Sequence, residues 1–257
     1  MNNNKWFDNI FISVTRAGRW AACCVAFFIG PTMADMPLEY SASYNANYNG
    51  LEISADFELK ALGNNRYKET SSAKSVFGKI SESAVFTITE RGNILPHQHS
   101  YKRSIMGVSK SDQQTFDWNQ MSVVYKKKGS TIVSKLDPGS LDVVTHKIQI
   151  RRDLHSGARS LSYKVMKRGK LRTYDYDIIG EEIIDTALGK LTATKIQRVV
   201  NSDKNRNTVV WLANDWDYLI VKLAHTDNGD TNTLNISQGI VGGKKLVPIQ
   251  SIQEGES

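Results

Sequence analysis

From Leu51 to Lys60 the chain alternates without a break. Leu51, Ile53, Ala55, Phe57 and Leu59 are apolar, and Glu52, Ser54, Asp56, Glu58 and Lys60 between them are polar. A period of two puts every apolar side chain on one face of an extended strand, so this stretch demands a sheet with one buried face. Tyr40, Ala42, Tyr44, Ala46 and Tyr48 alternate in the same way just before it, and Asn49-Gly50 between the two runs is a hairpin dipeptide. Further strands are predicted over residues 66–74, 81–89, 97–104, 113–118 and 121–127. After a central interruption they resume over 161–166, 171–179, 182–186, 191–200, 208–213, 218–226 and 231–237. A spacing of roughly ten residues per strand and turn belongs to an all-β meander, barrel or sandwich, and argues against βαβ units.

The interruption is residues 136–154, LDPGSLDVVTHKIQIRRDL. Asp137-Pro138 breaks the preceding pattern, Ser140 suits a helix N-cap, and Asp142 suits the positive end of the helix dipole. Leu141, Val144 and Ile148 then share one face, and Arg151 and Arg152 fall in the last turns. The expected fold is therefore mainly β: a single strongly curved antiparallel sheet, an open barrel or sandwich-like, with one central helix near residues 140–154. The domain is expected over residues 35–238, with a flexible tail from 239 to 257.

Residues 1–34 read as a secretory signal peptide. Lys5, Arg16 and Arg19 supply the positive start, and Trp20 to Ile29 is an apolar run too short to span a bilayer. Thr32-Met33-Ala34 places small residues where a signal peptidase reads them, so cleavage is expected before Asp35 and the mature protein is expected in the periplasm of a Gram-negative bacterium. Acylation at Cys23 or Cys24, or retention of the leader as an anchor, are the alternatives. Both cysteines lie in this leader, so a mature chain would have no disulfide, thiolate ligand or cysteine nucleophile. The formal net charge of +7 falls to +5 without the leader and is spread along the chain. No nucleic-acid partner is expected. The densest basic run, Lys126, Lys127 and Lys128, reads as a hairpin tip able to meet an anionic membrane surface or lipopolysaccharide. Mean hydropathy is −0.38, against a membrane protein overall.

Catalytic signals are sparse. No G-x-S-x-G, H-E-x-x-H or glycine-rich phosphate loop occurs. His97 and His99, at a strand spacing of two, are the best metal pair, with His146, His155 or His225 as third ligand. Solvent-facing histidines are the plainer reading, and no cofactor is expected. Asp175 and Asp177 share a strand face and read as solvated. The aromatics, among them Tyr40, Tyr44, Phe57, Phe86, Phe116, Trp211 and Trp216, belong mostly to the core. A curved sheet with an apolar inner face and one helix over it also makes a pocket for an acyl chain.

The tyrosine-rich strand 40–48, Gly92 with Leu95-Pro96, the central Asp137-Pro138-Gly139-Ser140, Gly180-Glu181-Glu182 with Gly189-Lys190-Leu191, and Trp211-Leu212-Ala213 with Tyr218-Leu219-Ile220-Val221 occur in an order that resembles the bacterial exported domain-of-unknown-function family numbered 3108. Ile220 stands where that family usually has proline. The resemblance implies an exported β-rich fold similar in plan to periplasmic lipoprotein and lipid carriers, and brings no catalytic residues.

Three functions follow as expectations. The first is a non-enzymatic carrier or binder of an apolar or amphiphilic envelope molecule, with Leu141, Val144 and Ile148 as the helix face toward ligand. The second is an envelope scaffold or accessory subunit for protein partners. The third, with least support, is an envelope hydrolase or metal-dependent enzyme. A continuous apolar cavity favours the first, a filled core with a large exposed apolar patch the second, and converging titratable groups in a cleft the third.

Overall fold

The computed structural model describes residues 38–48, 51–199 and 206–248. The expected leader, the Asn49-Gly50 turn and the end of the tail lie outside these residues. The strands before the helix are β1 (Tyr40–Tyr48), β2 (Leu51–Gly63), β3 (Arg66–Ser75), β4 (Gly78–Ile88), β5 (Ile94–Ile105), β6 (Val108–Asp117), β7 (Ser122–Lys127), β8 (Ser130–Lys135) and the two-residue β9 (Leu141–Asp142). After α1 (Thr145–His155) come β10 (Leu161–Lys167), β11 (Lys170–Thr186), β12 (Gly189–Arg198), β13 (Arg206–Ala213), β14 (Leu219–Asp227), β15 (Asp230–Val241) and β16 (Lys244–Lys245).

All of them belong to one sheet in the order β8-β7-β6-β5-β4-β3-β2-β1-β15-β14-β13-β12-β11-β10-β9, with β16 on β15. The two meanders, β1 to β8 and β10 to β15, meet in the antiparallel β1·β15 ladder. The expected fold class holds: mainly β, one helix, one large unclosed sheet.

One face of the sheet is apolar along nearly every strand, and among the described residues only one α-helix is available to cover it. The sheet therefore curls on itself. Its core runs from Tyr44, Leu59 and Phe86 on one side to Ile196, Leu212 and Ile236 on the other. The two edges approach without a ladder. Gln114 on β6 donates to the Met166 carbonyl (3.3 Å) and accepts from the Gly169 N–H (2.9 Å), and the Ser134 hydroxyl donates to the Gly169 carbonyl (2.6 Å). A second apolar cluster of Phe116, Val123, Leu136 and Met166 sits beneath this seam. A Cβ at Gly169 would come 3.0 Å from Tyr125, and its φ of +70° is a conformation that L side chains rarely adopt, so only glycine suits the crossing.

Several boundaries differ from the sequence reading. The helix starts at Thr145, five residues after Ser140. Leu141 and Asp142 are instead held extended by parallel pairing with Val165 and Met166. The capping carboxylate is Asp142, whose Oδ1 accepts the N–H groups of Val144 (2.7 Å) and Thr145 (2.8 Å), while the Thr145 hydroxyl accepts from the Asp142 N–H. Ser140 is buried and its hydroxyl has no partner. Gly180 marks a β-bulge inside a continuous β11, not a turn between two strands. β8 has no clean alternation, and its pairing comes from the hairpin with β7. Beyond residue 238 the sheet continues through Val241, and Leu246 is buried against Gly239.

Gln114 is 1% exposed, and its amide serves two backbone groups of the opposite edge. Gln114→Ala should cost about 1–3 kcal/mol for each backbone group left unpaired. Chemical denaturation of wild type and variant checks this, and an unchanged midpoint would mean the seam is not held by this side chain.

Candidate ligand cavity

α1 plugs one end of the curled sheet. Arg151 donates to the Asp217 carbonyl (2.9 Å) and carboxylate (2.6 Å) at the β13–β14 corner, and Arg152 to the Gly92 carbonyl (2.6 Å) in the β4–β5 turn. Lys147 pairs with Glu69 on β3 (3.0 Å), and Asp153 accepts from the Tyr163 hydroxyl (2.8 Å) on β10. These contacts fix the helix against strands from both meanders.

Below the plug lies a cavity of about 90 Å³ that is open to solvent at its mouth. Its walls are the inward positions of the alternating strands: Ala55, Ser71 and Ala73 on one side, and Ile196, Val210 and Leu223 on the other. The first three are small, so the inner face of β2 and β3 leaves space that Tyr, Ile or Leu fill elsewhere. The cavity opens away from the helix. Along β3 the inward residues pass from buried Tyr67 and Glu69 to half-exposed Ser71 and Ala73, and along β5 from buried His99 to half-exposed Tyr101.

Helix residues His146, Lys147 and Ile150 roof this space. The face expected to meet ligand does not line it. Leu141, Val144 and Ile148 are buried in the main core, and Ile148 packs beside Tyr40, Tyr44 and Leu219 around a small separate void. The helix begins later than Ser140 predicts, and the side it turns to the cavity is the adjacent one.

Charged groups interrupt the apolar lining, and each sits on the apolar parity of its strand: Glu69 after Tyr67, Glu82 between Ile80 and Ala84, and Arg198 after Ile196. A charge at an inward position was legible in the sequence as a break of the alternation. Burial raises the Glu69 carboxyl, with Lys147 acting against it. Burial also opposes ionisation of Glu82, but the hydrogen bond from His99 (2.9 Å) and its charge prevail and hold the carboxyl below the usual range. For His99 burial is likewise outweighed by Glu82, and its pKa is raised. Burial, with Lys147 and Arg198 nearby, pushes His146 down to about 3, so it is neutral and shares a hydrogen bond with the Tyr176 hydroxyl (3.1 Å).

The expected metal pair separates. A β-bulge opposite Val85 and Phe86 adds one residue to β5, so His97 and His99 no longer share a face. His97 bonds the Thr87 hydroxyl (2.6 Å), and His99 turns inward to Glu82. His146 bonds Tyr176, His155 lies edge-on to Tyr218 and His225 bonds Thr208. Among the described residues no three His, Cys, Asp or Glu side chains are grouped to hold a metal. Asp175 is half-buried and accepts from the Ser162 hydroxyl, and Asp177 is exposed. Lys126, Lys127 and Lys128 are exposed at the β7–β8 tip, as expected, beside Lys102.

The Glu82–His99 pair has a defined pH window. A raised His99 pKa contributes stability that is fully present below its ordinary value of 6.5 and is lost as pH rises through the folded value. A lowered Glu82 pKa contributes stability present above 4.5 and lost as pH falls through the folded value. The pair therefore stabilises most between those pH values. In Glu82→Gln burial is opposed only by the charges of Asp142 and Asp112, and the NMR titration midpoint of His99 should fall. The stability advantage of wild type over the variant should shrink toward alkaline pH. A midpoint unmoved by the substitution would refute the pairing.

No curated protein matches the chain. The crystal structure of a β-barrel-like protein of domain of unknown function DUF1849 from Brucella abortus is 8% identical and superposes with a TM-score of 0.56, covering 79% of this chain and 98% of that chain. At that identity the likeness shows the fold alone. The sequence profile of a family of proteins of unknown function matches residues 40–236, most of the chain and nearly all of the sheet, and the chain belongs to that family, DUF3108.

Proposed function

We propose that the protein is a non-enzymatic carrier of a single apolar or amphiphilic molecule of the cell envelope, working in the periplasm after removal of its leader. The observation that carries this reading is the cavity: a mostly apolar space, closed by α1 at one end and open at the other. The titratable groups around it are tied to one another, as in Lys147–Glu69 and His99–Glu82, which favours binding over acid–base chemistry.

Cavity filling tests the reading. Leu223 lines the cavity and Ile148 does not. Wild type should bind the neutral fluorescent probe N-phenyl-1-naphthylamine saturably. Leu223→Trp should weaken that binding at least tenfold with its unfolding midpoint nearly kept. Ile148→Ala should instead cost about 2–5 kcal/mol of stability, the range for truncating a fully buried aliphatic side chain. Absence of saturable probe binding by wild type would reject the carrier reading and leave the scaffold in its place.

The open end also suggests where ligand is exchanged. The β3–β4 and β5–β6 turns lie side by side there, joined by the Met106 N–H to the Phe77 carbonyl (2.9 Å). They carry Val76 (84% exposed), Phe77 (54%), Met106 (78%) and Val108 (60%). Lys74, Lys79 and Lys110 flank them, and the tip bearing Lys126, Lys127 and Lys128 lies at the same end. Apolar tips ringed by lysines fit an anionic bilayer, where the tips enter the interface and the ammonium groups meet headgroups. The protein should sediment with phosphatidylglycerol-containing vesicles and not with pure phosphatidylcholine vesicles. Phe77→Ser combined with Met106→Ser should reduce this severalfold without affecting probe binding. Equal sedimentation of the double variant would remove the membrane from the proposal.

A further inference from the structure

Arg198 closes the inward row of β12, one turn of alternation after Ile196, and lines the cavity. It is only 8% exposed. Three other buried basic groups have anionic partners: Lys147 has Glu69, Arg151 has Asp217, and His99 has Glu82. Arg198 has none of these. Its guanidinium lies 3.5 Å over the Tyr174 ring, the Tyr174 hydroxyl is within hydrogen-bonding reach, and its Nε has no hydrogen-bond partner among the described residues. A π face offers a cation far less than a carboxylate, and a buried charge left so is costly unless something completes it.

The surroundings are polar but carry no negative charge to spare. Thr208 lines the cavity, and its hydroxyl is bonded to His225 Nδ1 (2.8 Å). His225 is 3% exposed, and its Nε2 is a second buried atom without a partner. His146, held neutral by burial, and Tyr176, which faces Arg198 across the β11–β12 ladder, complete the group. One cation and several neutral donors stand at the edge of a predominantly apolar cavity. A ligand supplying one negative charge on oxygen would neutralise Arg198 and occupy the free Nε, while its chain lay against Ile196, Val210 and Leu223.

We infer that Arg198 is the head-group anchor of the cavity, and that the ligand is an amphiphile with a monoanionic head, a carboxylate or a phosphodiester, on an apolar chain. This rests on the carrier reading and narrows it, since that reading alone is equally satisfied by a neutral lipid. A planar guanidinium makes paired, charge-assisted hydrogen bonds to such oxygens, and these are stronger than neutral ones.

The test is competition against bound N-phenyl-1-naphthylamine by laurate, by 1-dodecanol, which has the same chain length without the charge, and by a lysophosphatidylglycerol of that chain length. With wild type, laurate or the lysolipid should displace the probe at a concentration roughly tenfold or more below that of dodecanol, as expected for a hydrogen bond to a charged group in a buried site. Which anion does so identifies the head. In Arg198→Gln the ratio should collapse toward one, with probe affinity retained, and Arg198→Lys should keep part of it. If Arg198→Gln does not fold, the wild-type ratio and that of Arg198→Lys still decide. Equal displacement by charged and neutral competitors in wild type, or a preference that survives Arg198→Gln, overturns the inference while leaving the carrier reading intact. If the probe never binds saturably, the carrier reading and this inference fall together.

Discussion

The rest of the structure follows from one imbalance: a single sheet with an apolar face along nearly its whole width, and one eleven-residue helix to cover it. Leaving that face wet would forfeit most of the hydrophobic stabilisation available to the chain. A second sheet or layer of helices is absent from the described residues, so the sheet must serve as its own partner and curl. Curling brings β6, β7 and β8 against β10, where Gln114 and Ser134 make with side chains the bonds that a closed barrel would make with backbone. It also leaves an end at which Glu69, the Gly92 carbonyl and Asp217 meet the cations of α1.

A self-wrapped sheet fills its interior only as far as the inward side chains reach. Where Leu59, Phe86 and Ile236 point inward the side chains are fully buried in the core. The cavity lies where β2 and β3 offer Ala55, Ser71 and Ala73. The cavity, the helix plug and the lysine-ringed tips at the far end are thus consequences of one architecture. The proposed carrier function would use all three, with ligand entry at the wet end and Arg198 as anchor.

The buried charges show how the interior stays specific. Glu69 with Lys147 joins β3 to α1 and Glu82 with His99 joins the neighbouring strands β4 and β5, and a slip of one residue in any of these strands would turn a charge outward and leave its partner alone in the core. A buried ion pair contributes little net stability over apolar side chains of the same shape, but breaking one is expensive. Their effect is to penalise wrong registers. Arg198 does not fit that pattern, since it has no protein carboxylate to register against.

Most strands, most turns and the fold class are legible along the chain, because a period of two and glycine-rich punctuation are local properties that need no knowledge of distant partners. The run from Leu51 to Leu59 could bury only one face, and the central segment could form only one helix. Glu69, Glu82 and Arg198 also fall on the apolar parity of their strands, a break in alternation less conspicuous than the histidines. The relations between distant residues come from the folded chain. The bulge in β5 separated His97 from His99, which no count along the chain reveals, because it depends on register with β4. Pairing of Leu141 and Asp142 with β10 delayed the helix, and so made His146, Lys147 and Ile150 the roof in place of Leu141, Val144 and Ile148. Periodicity says which side chains share a face. Which face looks onto empty space depends on how far the sheet curls, and that is settled by packing summed over all its strands.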